Sequence, residues 1–130
     1  EEPDADAPDA RLLAAVDPAN PYGALLPWPD SSPGAPRPRR APGAWVVLVD
    51  GALALYAGAR GRRVTTFGGG GEALVAGYRA LAAMPRPGAG RHLTVEAVDG
   101  VAVRDSAQLP RLEAAGFRLD YAGATAPFLD

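Results

Sequence analysis

Few residues in this 130-residue chain are equipped for chemistry. There is no cysteine, and His92 is the single histidine. Disulfides, thiolate metal sites and thiol catalysis are removed together, and a zinc site would have to be built almost wholly from carboxylates. No metal site is therefore expected. Asp50 and Asp99 each precede a glycine and are accounted for by turns. Asp105, Asp120 and Asp130 are the carboxylates left over; Asp120 and Asp130 are the candidates should the segment use a catalytic acid or base, although nothing in the sequence requires one. Ser31, Ser32 and Ser106 stand in no nucleophile motif. No G-x-x-x-x-G-K-[ST] stretch is present, so the chain carries no ATP site of its own. Gly68, Gly70 and Ala73 fit the looser G-x-G-x-x-A turn of nucleotide-binding proteins. In a run of four glycines that match is nearly automatic, and a flexible loop is the expected role.

The chemistry that remains is arginine. All thirteen basic residues are arginine, and the abundance of Ala, Gly and Pro points to GC-rich coding as the source of the bias. Two groups fall in loops: Arg37, Arg39 and Arg40, then Arg60, Arg62 and Arg63. Guanidinium groups at a loop tip near an exposed aromatic ring can grip a single nucleic-acid strand, by phosphate contacts and base stacking. The plain alternative is that they keep loops soluble. The net charge of −2 supplies no global basic field. Acid is concentrated at the start, in Glu1, Glu2, Asp4, Asp6 and Asp9.

The elements that would position these groups centre on residues 43–67, GAWVVLVDGALALYAGARGRRVTTF. Two apolar runs flank Asp50-Gly51, the pairing that a two-residue type I′ hairpin turn demands. A looser turn at 58–61 and the β-branched stretch 63–67 complete a three-stranded antiparallel meander. Residues 72–84 read as a helix, with Leu74, Tyr78 and Leu81 on one stripe and Glu72 in its first turn. Residues 93–98 alternate as a strand, with Leu93, Val95 and Ala97 on one face. Asp99-Gly100 is a second turn of the first kind. Ser106 can cap a helix over 107–115, Gly116 ends it, and 117–121 is a last strand before an irregular tail. The order β-β-β-α-β-(β)-α-β argues an α+β fold with a mostly antiparallel sheet and two packed helices over residues 43–130.

Residues 1–42 read differently. Residues 1–9 are acidic and Pro-rich, and disorder is expected. Residues 10–16, ARLLAAV, suggest a short helix capped by Asp9. In residues 17–29, DPANPYGALLPWP, four prolines forbid a regular element. Tyr22, Leu25, Leu26 and Trp28 are too apolar for a free linker, so an extended strap with docked aromatic groups is expected. Residues 30–42 are Pro, Ser, Gly and Arg without a hydrophobic anchor, the composition of a linker or loop. The chain starts at Glu1 rather than Met, has no signal-peptide pattern and no apolar run near the ~20 residues of a membrane span. A soluble, cytoplasmic fragment of a larger protein is the expectation.

DPANPYG, LPWP, RRAPGAWVVLVDGALALY and GRRVTTF, with the later VDGVAVRDS and LEAAGFRLDYAG, resemble the C-terminal end of the Lhr (large helicase-related) family. The likeness runs from about residue 12 to 123. Asp17, Pro18, Asn20, Pro21, Tyr22 and Gly23, with Trp28 and Pro29, are its most specific part. The resemblance implies a superfamily-2 DNA helicase of bacteria that translocates 3′ to 5′ on single-stranded DNA and serves DNA repair. Its motor, with ATP and Mg, would lie upstream, and this segment would be an accessory, non-motor domain. Winged-helix modules of the same polypeptide would be its neighbours, and Asp17, Asn20, Tyr22 and Trp28 would dock against them. Arg60, Arg62, Arg63, Arg39 and Arg40 would contact nucleic acid. Uracil-glycosylase activity occurs in that C-terminal region of some members, which makes part of a glycosylase site one alternative; a structural or oligomerisation module is another.

Overall fold

An unbroken apolar strand needs cover on both faces, and the computed structural model shows what supplies it at Trp45–Val49. The structure describes residues 8–31, 33–58, 61–68, 70–83 and 92–127. Strands β1 (Ala10–Ala14), β2 (Trp45–Val49), β3 (Ala52–Gly58) and β4 (Arg63–Thr66) lie side by side in that order, each antiparallel to the next. Helix α1 (Gly71–Ala82) follows. Strand β5 (His92–Val95) then leads into β6 (Ala97–Val98), which pairs with β4 in parallel and with β7 (Val101–Ala102) antiparallel. A 3-10 turn at Val103–Asp105, helix α2 (Leu109–Ala114), β8 (Arg118–Leu119) and β9 (Ala124–Pro127) complete the order. Among the described residues the strands form two sheets, β1-β2-β3-β4-β6-β7 and β5-β9-β8. The fold is α+β with mostly antiparallel sheets and two helices.

Both Asp-Gly pairs make the turns their types demand. Asp50 and Gly51 have φ of 51° and 85°, and Asp99 and Gly100 have 53° and 82°. Positive φ at both central positions is the type I′ pattern. The expected core stripe of α1 is also present: Leu74, Gly77, Tyr78 and Leu81 are buried. Gly77 lets the helix approach the sheet closely, since a Cβ there would sit 3.1 Å from Leu55 Cδ1. Helix α2 ends in a Schellman motif, with Gly116 N–H on the Glu113 carbonyl and Phe117 N–H on that of Leu112. Gly116 supplies the required positive φ of 104°, and the apolar pair Leu112 and Phe117 is buried.

The sheet divides the core in two. Val47, Val49, Leu55 and Val64 pack on the side of α1, together with Leu74, Tyr78 and Leu81. Val46, Leu48, Leu53, Tyr56 and Phe67 form a second cluster on the other side, covered by Leu13, Tyr22 and Trp28. Helix on one face and aromatic strap on the other explain why β2 is apolar at every position.

Three expectations are corrected. Residues 10–16 are not a helix: residues 10–14 are β1, in register with β2 from Ala10↔Val49 to Ala14↔Trp45. Asp9 accepts the Asp50 N–H on its carbonyl at 2.8 Å and donates its own N–H to the Asp50 carboxylate at 2.9 Å, so it extends this ladder instead of capping a helix. Residues 93–98 are not one strand. The chain breaks at Glu96, whose N–H donates to the Arg62 carbonyl at 2.7 Å, and passes from one sheet to the other. Buried positions accordingly run Leu93, Val95, then Val98, one residue out of phase. The tail is not wholly irregular, because β9 pairs with both β5 and β8. The disorder expected of the acidic leader concerns, for residues 1–7, positions outside the described residues. Among the described residues no helix is long and apolar enough to cross a membrane.

Candidate nucleic-acid interface

Residues 17–29 and 30–42 decide which arginines are available. Asp17 accepts the Ala19 N–H on Oδ1 at 2.8 Å, turning the chain back on itself. Asn20, 1% exposed, donates from Nδ2 to the Ala15 carbonyl at 2.9 Å and accepts the Tyr22 N–H at 3.1 Å. Tyr22 accepts the Leu53 N–H on its hydroxyl at 3.3 Å. Trp28 lies between two rings, stacked on Tyr22 at 6.5 Å and edge-on to Tyr56 at 5.8 Å. Gly23, at φ 81°, faces the Trp28 ring so closely that a Cβ would fall 2.7 Å from it. The four strap residues expected to dock on another module thus make these contacts with their own chain. The outer turn of the strap shows solvent Leu25, 88% exposed, and Leu26.

Arg40 is the bolt of this assembly. Its Nη1 donates to the carbonyls of Asn20 at 2.8 Å and Tyr22 at 2.9 Å, and Nη2 reaches that of Asp17 at 3.3 Å. A guanidinium fork suits three converging carbonyls as no other side chain does. These bonds hold the Arg40 guanidinium against its own strap. Arg39 is exposed, and its carbonyl accepts the Tyr56 hydroxyl at 3.1 Å. The stretch expected to be an unanchored linker is therefore fastened, and again at Pro36, whose carbonyl accepts Thr65 Oγ1 at 3.0 Å. Gly34 packs against the β6–β7 turn: a Cβ on Gly100 would meet the Gly34 carbonyl oxygen at 2.4 Å.

The second arginine group stands at the β3–β4 hairpin. Arg62 and Arg63 have exposed side chains at the entry to β4, while Arg60 lies outside the described residues. Arg63 lines a cavity of about 460 Å³ together with Pro36, Val64, Glu96, Ala97 and Ala102. Next to Gly100 of that lining, the Asp99 carboxylate accepts the Thr66 N–H at 2.8 Å and the Thr66 hydroxyl at 2.6 Å. In sequence Asp99 reads as a turn residue alone; its tie between β4 and the β6–β7 turn depends on the parallel pairing of β4 with β6, which local patterns do not show. Below this surface Tyr78 donates its hydroxyl to Gln108 Oε1 at 2.9 Å. Burial pushes that hydroxyl well above the usual tyrosine range, with the Asp99 charge acting in the same direction.

The carboxylate candidates separate. Asp120 accepts the N–H groups of Ala122 at 2.8 Å and Gly123 at 3.1 Å on Oδ1, an Asx turn. Asp130 lies outside the described residues, and the side chain of His92 is likewise not described. Among the described residues no group of three or more His, Cys, Asp and Glu could hold a metal.

Fold and surface together define a small α+β module, with an aromatic strap closed on one face and an arginine-bearing hairpin at the end of its sheet. The chain is 47% identical over 96 residues to a Mycolicibacterium smegmatis protein named "Lhr helicase/ probable uracil glycosylase". The match takes in 74% of this chain and 6% of the relative, so the module is an Lhr-related segment that spans a small part of that protein's length. No protein-family model matches the chain.

Proposed function

We propose that this chain is a non-motor accessory domain from the C-terminal region of an Lhr-type ATP-dependent DNA helicase acting in DNA repair in the cytoplasm, and that it contacts single-stranded DNA. The observation that supports it most is the 47% identity to the Lhr helicase across 74% of the chain. A helicase must hold the strand it moves along, and the groups here suited to that are exposed arginines. Arg62, Arg63 and the neighbouring Arg60 would meet phosphates, with Arg39 beside the strap. ATP and Mg would be bound by the motor, elsewhere in the polypeptide. The strap would meet an upstream winged-helix module through its exposed turn, Leu25 and Leu26, while Asp17, Asn20, Tyr22 and Trp28 shape that turn from beneath.

Fluorescence anisotropy with a labelled single strand at low salt tests the proposal. The chain should bind, and replacing Arg60, Arg62 and Arg63 together with Ala should weaken binding about tenfold or more, since the phosphate term dominates such affinity. Failure of the wild type to bind would leave a structural or oligomerisation module in its place. ATP turnover by the chain alone would contradict a non-motor role. The relative's name supports a second reading, a contribution to uracil excision. Release of uracil from a single strand by the wild type, lost in Asp120→Asn or Asp130→Asn, would establish it.

A further inference from the structure

Tyr121 is 96% exposed, the most exposed large apolar side chain among the described residues. Its loop is nonetheless firmly built. Asp120 accepts two backbone N–H groups on its carboxylate and exchanges backbone bonds with Gly123. Gly123, at φ 146°, lies so close to β5 that a Cβ would stand 2.4 Å from the Val95 carbonyl oxygen. Arg104 donates from Nη2 to the carbonyls of Asp120 at 3.1 Å and Tyr121 at 3.3 Å, which pins its guanidinium beside the ring's own backbone. An aromatic ring held in water by a fixed loop gains nothing from its own chain and keeps its apolar faces for something else.

The surroundings say what. Arg118, on β8, has an exposed side chain two residues from Asp120. Arg104 follows by two residues Ala102, which lines the same cavity as Arg63. The opposing charges nearby are Asp105, exposed on the 3-10 turn, and Glu96, exposed in that cavity, while the Asp120 carboxylate is held by two loop amides. An aromatic face among arginines accepts an unpaired base, with phosphates on the guanidinium groups to either side.

We infer that Tyr121 is a base-stacking platform for a single nucleic-acid strand, flanked by Arg104 and Arg118. The inference rests on the nucleic-acid reading above, but its test is separate. The full chain is titrated into a fluorescein-labelled oligothymidine of about twenty nucleotides, as wild type, Tyr121→Ala, Tyr121→Phe and Tyr121→Trp. Tyr121→Ala should weaken binding about tenfold while leaving the dependence on salt unchanged, because stacking releases no counterions. Tyr121→Phe and Tyr121→Trp should restore wild-type affinity to within about twofold. A single 2-aminopurine in the strand should be quenched by the wild type and less so by Tyr121→Ala. If wild type and Tyr121→Ala bind alike, the stacking role is wrong and the arginine contact stands. If the wild type does not bind, both fail. If Tyr121→Ala instead changes the oligomeric state, the ring is a protein contact and the inference is overturned.

Discussion

The side-chain amide of Asn20 satisfies one carbonyl and one N–H of the strap in a site almost closed to water. Truncation leaves both groups buried without partners, so Asn20→Ala should destabilise the fold by about 2 kcal/mol, read as a lower urea midpoint with an unchanged slope. Tyr78 makes a prediction in pH. Its hydroxyl is raised in the folded chain above the ordinary value near 10. The neutral form is what folding favours, so the stability it contributes is complete below about pH 10 and is lost as pH rises beyond it. Tyr78→Phe should remove that alkaline loss while costing about 1 kcal/mol at neutral pH through the unpaired Gln108. At this scale the strap residues were legible as anchors, but what they anchor to was not. Asn20, Tyr22 and Trp28 stand out among prolines, but a strap docked on its own sheet and one docked on a neighbour need the same side chains. Arg40 shows the same limit: its three backbone carbonyls come from a strap some twenty residues earlier, which no local pattern announces.

The hairpin turns at 50–51 and 99–100 were legible because their demand is local: two positive φ values with little but Asp, Asn and Gly to satisfy them. The stripe of α1 was legible for the same reason. Strand β1 was not. Its Ala and Leu favour a helix, and only pairing with β2, some thirty-five residues on, makes it a strand. With that pairing the adjacent leucines make sense, since Leu12 packs with the α1 cluster and Leu13 with the strap cluster. The switch at Glu96 was hidden too, because alternation looks the same whether or not a strand changes sheets. Two glycines test how the elements are joined. Gly116 has positive φ and open space around it, so Gly116→Ala should cost about 1 kcal/mol from conformation alone. Gly100 has the same demand and also abuts the Gly34 carbonyl. Gly100→Ala should therefore lower the melting temperature clearly further than Gly116→Ala; equal shifts would show that residues 33–38 are not held against the β6–β7 turn.

As a whole, the molecule is a sheet with a helix on one face and a belt of Tyr22, Trp28 and Tyr56 on the other, closed by Arg40. Composition and charge excluded thiol chemistry and a global basic field, and the motif resemblance pointed to the helicase relative that sequence comparison then supplied. Arg104 and Tyr121 are seventeen residues apart and meet only because the 3-10 turn at 103–105 lies against the loop after β8, which no local pattern shows. On the proposed function, the β3–β4 arginines neutralise phosphates of a single strand. The most direct test is the binding constant of the chain for a labelled single strand across a salt series, compared with the Arg60, Arg62 and Arg63 triple Ala variant. Each phosphate neutralised on a single strand contributes about −0.7 to the log–log slope, so the variant should be shallower by about 2. Parallel lines for the two proteins would contradict the claim.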